Sequence, residues 1–338
     1  MAQSDAAGGL LRLAWAVDGL SRWRFAASDV ATSTSDAATS ASGLEIRAAG
    51  DDGQGVFLLH AASAGERLLA ERPLLAWGGR TKEELRRAVD ALGKADRAAF
   101  WALCQNAEHG VLCKTAWGVW ISNALPTEDE PATAAVFRVT SRLNHSCAPN
   151  AWANWNSRTQ RMTVHALGAL PAGEEVRVDY RGADGETRAD RRAALLTDFG
   201  FACSCSLCRL DGANREASDH RRAHIISLGE RIRATPCPTD LVRIVETRLK
   251  LMAAEAPLLA TAWDTYAAAS DYLGCTGEPR AAAHWALRAA SCAETALGRD
   301  SDEWLRYTAQ ARALTALTVG VRARDGKGSA RAGRAKLH

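Results

Sequence analysis

Arg142-Leu143-Asn144-His145-Ser146-Cys147-Ala148-Pro149-Asn150 is the stretch that decides how this chain folds. Some fifty residues later come Cys203, Cys205 and Cys208, in a C-x-C-x-x-C run. Three thiols leave a tetrahedral zinc site one ligand short, and structural zinc takes four. Cys147 is the obvious fourth. Its joining staples the two segments and closes everything between them into a loop. That loop contains Gly173-Glu174-Glu175-Val176-Arg177-Val178-Asp179-Tyr180.

Composition narrows the class. The 338 residues are 47% hydrophobic and 24% charged, which describes a globular chain long enough for two domains. Net charge is only +3, too little to argue nucleic-acid binding for the body of the protein. Nine cysteines, an odd number with one tight cluster, indicate metal binding in a reducing compartment rather than a disulfide framework. Leu10 to Val17 is short and includes Arg12, so no secretory signal is expected. No apolar run reaches the roughly 20 residues of a membrane helix. These features point to a soluble cytoplasmic or nuclear monomer.

Along the chain, residues 1–43 are rich in Ala, Ser, Thr and Asp and predict a mobile N-terminus. Strands are expected at 44–47, 56–59 and 67–72. Thr81 with Glu84 forms a capping box, and Leu85, Ala88, Val89 and Leu92 recur at helical spacing. A second helix is expected over 96–104, ending a helical insert of about 80–114. Trp117 to Ile121 reads as a strand. Further strands are expected at 150–155, 161–167 and 175–179, then a charged helix over 188–196. Alanine-rich helices follow at 220–234, 240–256, 258–272, 280–297 and 302–318. The last residues, 321–338, form a basic tail, solvated or in weak contact with nucleic acid or an acidic partner. Domain by domain, 44–202 is a mostly β core with its insert, 203–212 the metal segment and 213–320 a helical domain.

Gly53-Gln54-Gly55, Asn144 to Cys147, Gly173 through Tyr180, and Phe201 before the C-x-C-x-x-C run occur in one order. Together they resemble the SET-domain protein lysine methyltransferases. Arg142 to Asn150 resembles the branch containing the SET and MYND proteins and their fungal relatives. The resemblance covers roughly 44–210. It implies an α+β fold: a mostly β, knot-like β-clip core with a helical insert, a zinc-bound post-SET segment and an all-α C-terminal domain. It implies transfer of a methyl group from S-adenosylmethionine to a lysine of a protein, histone or non-histone, with one structural zinc ion. Carried over by residue, Tyr180 is catalytic. Asp52, Gly53, Gln54, Gly55, Asn123, Asn144, His145, Tyr180 and Phe201 hold the cofactor. Phe199 lines the substrate channel, where several members have tyrosine, and its lost hydroxyl leaves room for a higher methylation state. Cys147, Cys203, Cys205 and Cys208 bind the metal. Within the insert, Cys104, His109 and Cys113 are too few for a MYND zinc module.

The chemistry agrees with that implication. Methyl transfer to an amine is an in-line displacement that needs alignment at about 3–3.5 Å and a neutral nucleophile. A narrow apolar channel beside a sulfonium disfavours the ammonium form. Glu174 and Glu175, adjacent on a strand, face opposite ways and suit a turn or salt bridge rather than a catalytic pair. His165 reads as structural, and Cys237, Cys275 and Cys292 as ordinary thiols. An inactive peptide-binding module derived from the same fold remains the alternative on sequence alone.

Overall fold

In the computed structural model the described residues are 43–332 apart from 51–52, 80, 106–113, 129–132, 183–185, 235–238 and 256–257, and over 319–332 only the backbone is described. The expectations for residues 1–42, Asp52, His109, Cys113, Cys237 and the basic tail's side chains lie outside that set. The chain divides into two compact units, one ending at Arg215 and one beginning at Glu216.

The first unit is built from short strands. β1 (Leu44–Ala48) and β2 (Gln54–Leu58) form an antiparallel pair. β3 (Arg67–Glu71), β9 (Arg161–Ala166) and β8 (Ala151–Asn156) form a sheet in the order β3-β9-β8. β4 (Leu75–Trp77), β6 (Thr133–Val136) and β5 (Leu125–Glu128) form another, in the order β4-β6-β5. β7 (Asn144–His145) lies parallel to β10 (Arg177–Val178). Val56, Leu58, Leu69, Val164, Ala166 and Val176 are buried together as the common core. Val56 and Leu58 of β2 and Val164 and Ala166 of β9 supply it from one face, while Phe57, Thr163 and His165 between and beside them are buried too, so both faces of these strands are covered. The fold is α+β.

Helices punctuate this β frame. α1 (Lys82–Asp90) starts at the expected capping box: Thr81 Oγ1 accepts from Glu84 N–H at 3.1 Å, and Glu84 Oε2 accepts from Thr81 N–H at 3.0 Å. α2 (Lys94–Trp101) follows. The strand expected at 117–121 is instead α3 (Ala116–Asn123). Its run is apolar on nearly every side, and such a segment carries no period that separates helix from strand. Thr115 settles the matter locally, its hydroxyl accepting the N–H of Gly118 at 2.9 Å. Leu85, Val89, Phe100, Leu103, Val119 and Trp120 join in a second core under β4 and β6. α4 (Arg188–Phe199) runs three residues past its expected end. It stops at Gly200, whose φ of +74° is the left-handed conformation that closes helices and that side chains resist.

The second unit is helical: most of α5 (Gly212–Arg233), then α6 (Leu241–Ala253), α7 (Trp263–Cys275), α8 (Pro279–Leu297) and α9 (Asp302–Ala332). α8 packs against α7 and α9. Its buried stripe of Ala282, Ala286, Ala289, Ala293 and Ala296 allows close approach of the neighbouring helices. Inside this unit Glu255 is buried and accepts from Ser218, Arg221 and Arg222. Among the described residues no helix is long and apolar enough to cross a membrane.

Candidate functional site

The site begins with a buried acid that sequence reading missed. Glu71 ends β3 and is 2% exposed. Its carboxylate accepts the backbone N–H groups of Arg138 (2.8 Å), Val139 (3.0 Å) and Thr140 (2.9 Å), and the Thr140 hydroxyl (2.8 Å). Thr140 opens a one-turn 3-10 helix ending at Arg142. The first N–H groups of such a turn have no partner within it, and an anion gathers them. Glu71 thereby fixes the chain where it enters Asn144 and His145.

Beyond that turn, β7 and β10 bring the two distant motifs side by side. The Ser146 N–H reaches the Val178 carbonyl at 3.0 Å. Asn150 extends the pairing with its side chain: Nδ2 donates to the Glu175 carbonyl and Oδ1 accepts the Arg177 N–H, both at 2.8 Å. Asn144 donates through Nδ2 to Glu175 Oε1 at 2.8 Å and to the Gln54 carbonyl at 3.1 Å. Glu175 also holds Arg177, with Oε2 2.5 Å from Nη2. This hub explains Gly55, because a Cβ there would lie 2.3 Å from Glu175 Oε1. The glycine accommodates a protein carboxylate.

Tyr180 stands at the far end of this strand. Its N–H donates to His145 Nδ1 at 3.2 Å, and its hydroxyl donates to the Leu143 carbonyl at 2.7 Å. Around its ring lie Phe199 at 5.1 Å, His145 at 5.2 Å and Phe201 at 6.4 Å between centroids. Tyr180, Phe199 and Phe201 are only half-buried, while His145 is buried. Burial pushes the imidazole below its ordinary pKa, with Asp179 opposing. Three incompletely covered aromatic rings on one wall suit the flat base of a nucleoside cofactor and an apolar channel for an alkyl amine.

The four cysteines converge as expected. Their sulfurs all lie within 4.8 Å of one another, with Cys147 Sγ 3.5 Å from Cys208 Sγ and 3.9 Å from Cys203 Sγ. A Zn–S length of about 2.3 Å in a tetrahedron sets sulfurs about 3.8 Å apart, so the donor set fits zinc. Cys147, Cys203 and Cys208 are buried and Cys205 half-buried. Crowding divides the thiols: the bond to Cys203 pushes Cys147 up, and the bond to Cys147 draws Cys208 down to about 7. A divalent cation resolves that conflict by letting all four ionise. α4 carries the compensating charge. Arg188 donates to the Cys208 carbonyl (2.6 Å) and Arg192 to the Cys203 carbonyl (2.9 Å). Arg191 is 3% exposed. Burial lowers its pKa, but the negative character of Cys147 and Cys208 more than offsets this and raises it overall. No carboxylate pairs with Arg191 among the described residues. Arg191 donates to the Glu186 backbone carbonyl, and its buried charge beside the Cys147 and Cys208 sulfurs argues for thiolates, and thereby for a metal.

Some expected residues are placed differently from their neighbours. Asn123 closes α3 and spends both amide hydrogens on the Cys104 carbonyl (2.6 Å) and the Val119 carbonyl (2.7 Å). Its own carbonyl accepts from Ser141, three residues before Asn144. Gln54 accepts Arg142 through Oε1 at 2.6 Å. His165 is buried in β9, where Nε2 accepts from Arg67. Glu71, Asn150 and Arg191 went unnoticed in the sequence. Of these only Asn150 carried a signal, lying inside the quoted motif next to Pro149.

Comparison with known proteins follows from this geometry. The SET domain profile matches residues 53–181. Over 265 residues the chain is 31% identical to histone-lysine N-methyltransferase set5 of Schizosaccharomyces pombe, covering 76% of this chain and 79% of that protein. The chain belongs to the SET-domain lysine methyltransferase family. Shorter matches join it to ATXR2 of Arabidopsis thaliana, named a histone-lysine N-methyltransferase, at 39% identity over 24% of this chain and 17% of that protein. Another is SMYD5 of Danio rerio, named a protein-lysine N-trimethyltransferase, at 31% identity over 25% and 22%. As a SET-domain enzyme the chain uses S-adenosylmethionine to methylate lysine in a protein substrate.

Proposed function

We propose that Tyr180 is the catalytic residue of this methyltransferase, that a histone lysine is its first candidate acceptor, and that zinc in the four-cysteine cluster holds the post-SET aromatic wall in place. The carrying observation is that Tyr180, Phe199, Phe201 and His145 share one half-buried cluster at the point where β7 meets β10. The histone assignment follows the name of the Schizosaccharomyces pombe relative, and with it a nuclear place of action.

When bound, S-adenosylmethionine supplies a methyl group on a sulfonium. The chain does the rest by position. The Tyr180 hydroxyl donates its proton to the Leu143 carbonyl, which leaves the phenol oxygen to act toward the incoming amine as an acceptor of its N–H. That contact aims the nitrogen lone pair along one direction. Phe199 and Phe201 supply apolar walls that favour the neutral amine over the ammonium. Phe199, lacking a hydroxyl, makes no hydrogen bond to the amine and leaves space for more than one methyl group. Asn144, with both Nδ2 hydrogens used, offers its oxygen and the backbone of β7 to the cofactor. Gly53 and Gln54 at the start of β2 flank the same segment. Leu195 packs in the cysteine cluster beside Phe199 and Phe201, which ties the aromatic wall to the metal.

Radiolabelled methyl transfer to core histones and to a proteome extract, with wild type against Tyr180→Phe, tests this. Loss of about 10²-fold or more in incorporation with cofactor affinity retained is the expected result. Equal incorporation by both forms removes Tyr180 from the mechanism. Label confined to non-histone proteins removes the histone assignment.

A further inference from the structure

The His145 side chain touches two parts of the site at once, through a hydrogen bond at each ring nitrogen. Its Nδ1 is 3.2 Å from the backbone N of Tyr180, and its Nε2 is 3.2 Å from Cys147 Sγ. A backbone N–H can only donate, so Nδ1 carries a lone pair. The single ring proton then sits on Nε2 and points at the sulfur. The side chain is 1% exposed, so water does not compete for either end. Asp179 Oδ1, 3.6 Å from Nδ1, is too far for a strong hydrogen bond to that nitrogen. His145 is also held from behind: Val178 is its partner in the parallel ladder, and Arg177 Nη1 reaches its carbonyl at 3.2 Å.

We propose that His145 is a positioning residue that couples the metal cluster to the catalytic strand. Its Nε2–H donates to the Cys147 thiolate, while its Nδ1 accepts and locates the Tyr180 amide. A donor on a metal-bound thiolate tunes metal affinity, and groups in this position generally matter about 10- to 100-fold. The other end of the same ring sets where the phenol begins. Metal binding and phenol placement thus share one rigid, planar connection of two hydrogen bonds. The inference rests on the zinc assignment made under the proposed function, and it deepens that assignment.

Two substitutions separate the ends. In His145→Asn the carboxamide reaches the Nδ1 position, so its oxygen can still accept from Tyr180, but nothing reaches Cys147. In His145→Gln the amide nitrogen reaches the Nε2 position and can still donate to Cys147, while the acceptor for Tyr180 is lost. Zinc content of the wild type is measured first. Zinc affinity is then read by competition with a chromogenic chelator, and turnover is read at saturating zinc and cofactor. We expect His145→Asn to lose about 10- to 100-fold in zinc affinity. We expect His145→Gln to keep zinc affinity while its kcat falls, by up to about 10²-fold for an ångström-scale misplacement. Unchanged zinc affinity in His145→Asn, or equal losses of zinc affinity in both variants, overturns the coupling and leaves His145 a packing residue. A wild type that holds no zinc overturns the metal assignment itself, and this inference with it.

Discussion

Replacing Glu71 by Gln is the sharpest test of how the site is held. The change preserves size and removes a charge at a 2% exposed position, so it opens no cavity. In the native protein one carboxylate oxygen serves the N–H and hydroxyl of Thr140, and the other serves the N–H groups of Arg138 and Val139. A carboxamide keeps one oxygen and turns an NH2 toward the other pair. The Thr140 hydroxyl can rotate to accept from it, but the Thr140 N–H is stranded. A buried donor without an acceptor costs about 1–3 kcal/mol, and two bonds to a charged group become bonds to a neutral one at about 1 kcal/mol each. The sum is about 4 kcal/mol. For a unit of this size each kcal/mol moves the midpoint by about 2–4 °C, so Tm of the first unit should fall by about 8–16 °C. Circular dichroism melts of wild type and Glu71→Gln, with calorimetric titration of S-adenosylmethionine well below both midpoints, measure the effect. Cofactor affinity should weaken as well, because the anchored turn leads directly into Asn144. A Tm within about 2 °C of wild type would show that the carboxylate is not what anchors this turn.

Other expectations concern the glycine hub and the thiols. Gly55→Ala places a methyl group on Glu175 Oε1, and should dislodge that carboxylate from Asn144. Stability should drop by about 1–2 kcal/mol in urea unfolding, and cofactor affinity should fall, whereas unaltered binding would detach Glu175 from the cofactor site. Alkylation at pH 8 with peptide mapping should label exposed Cys104 and Cys275 first. Cys292, pushed up to about 12 by burial, leaves only about 10⁻⁴ of its thiolate form at that pH and should resist. Cys147, Cys203, Cys205 and Cys208 should label only after chelation. The same chelation should abolish cofactor binding before far-UV signal is lost, and retained affinity after verified metal removal would separate the cluster from the cofactor pocket.

Much of the fold was legible because the deciding signals are local or chemically specific. The Thr81–Glu84 capping box needs only neighbours in sequence, and it formed as written. The cysteine spacing could be read because few other uses explain four such thiols. α3 was misread for a definite reason: Ala116, Val119 and Trp120 are buried in one core, and Trp117 and Ile121 are partly buried against that same core. A segment apolar on nearly every face shows no period. β4, β5 and β6 were overlooked because each is three or four residues long and interrupted by proline or by polar turns. Within the site, Tyr180 and Asn144 were visible through their motifs, yet the partners of Asn144 were not. That its amide is spent on Gln54 and Glu175 depends on strands that meet only in three dimensions. Glu71 looked like one more charge before a proline, since no sequence pattern shows that three backbone amides about seventy positions away will close on it.

The cysteine clamp has a consequence for the order in which this enzyme comes together during synthesis. Its two halves lie 61 positions apart, so closing it demands a long-range encounter that is slow compared with forming the hairpin of β8 and β9. The β scaffold that carries Tyr180 can therefore be in place on a nascent chain before the wall of Phe199 and Phe201 is fastened to it. On the zinc assignment proposed above, scarcity of the ion during translation yields a folded but inert population that the ion alone rescues afterwards, without any need to unfold.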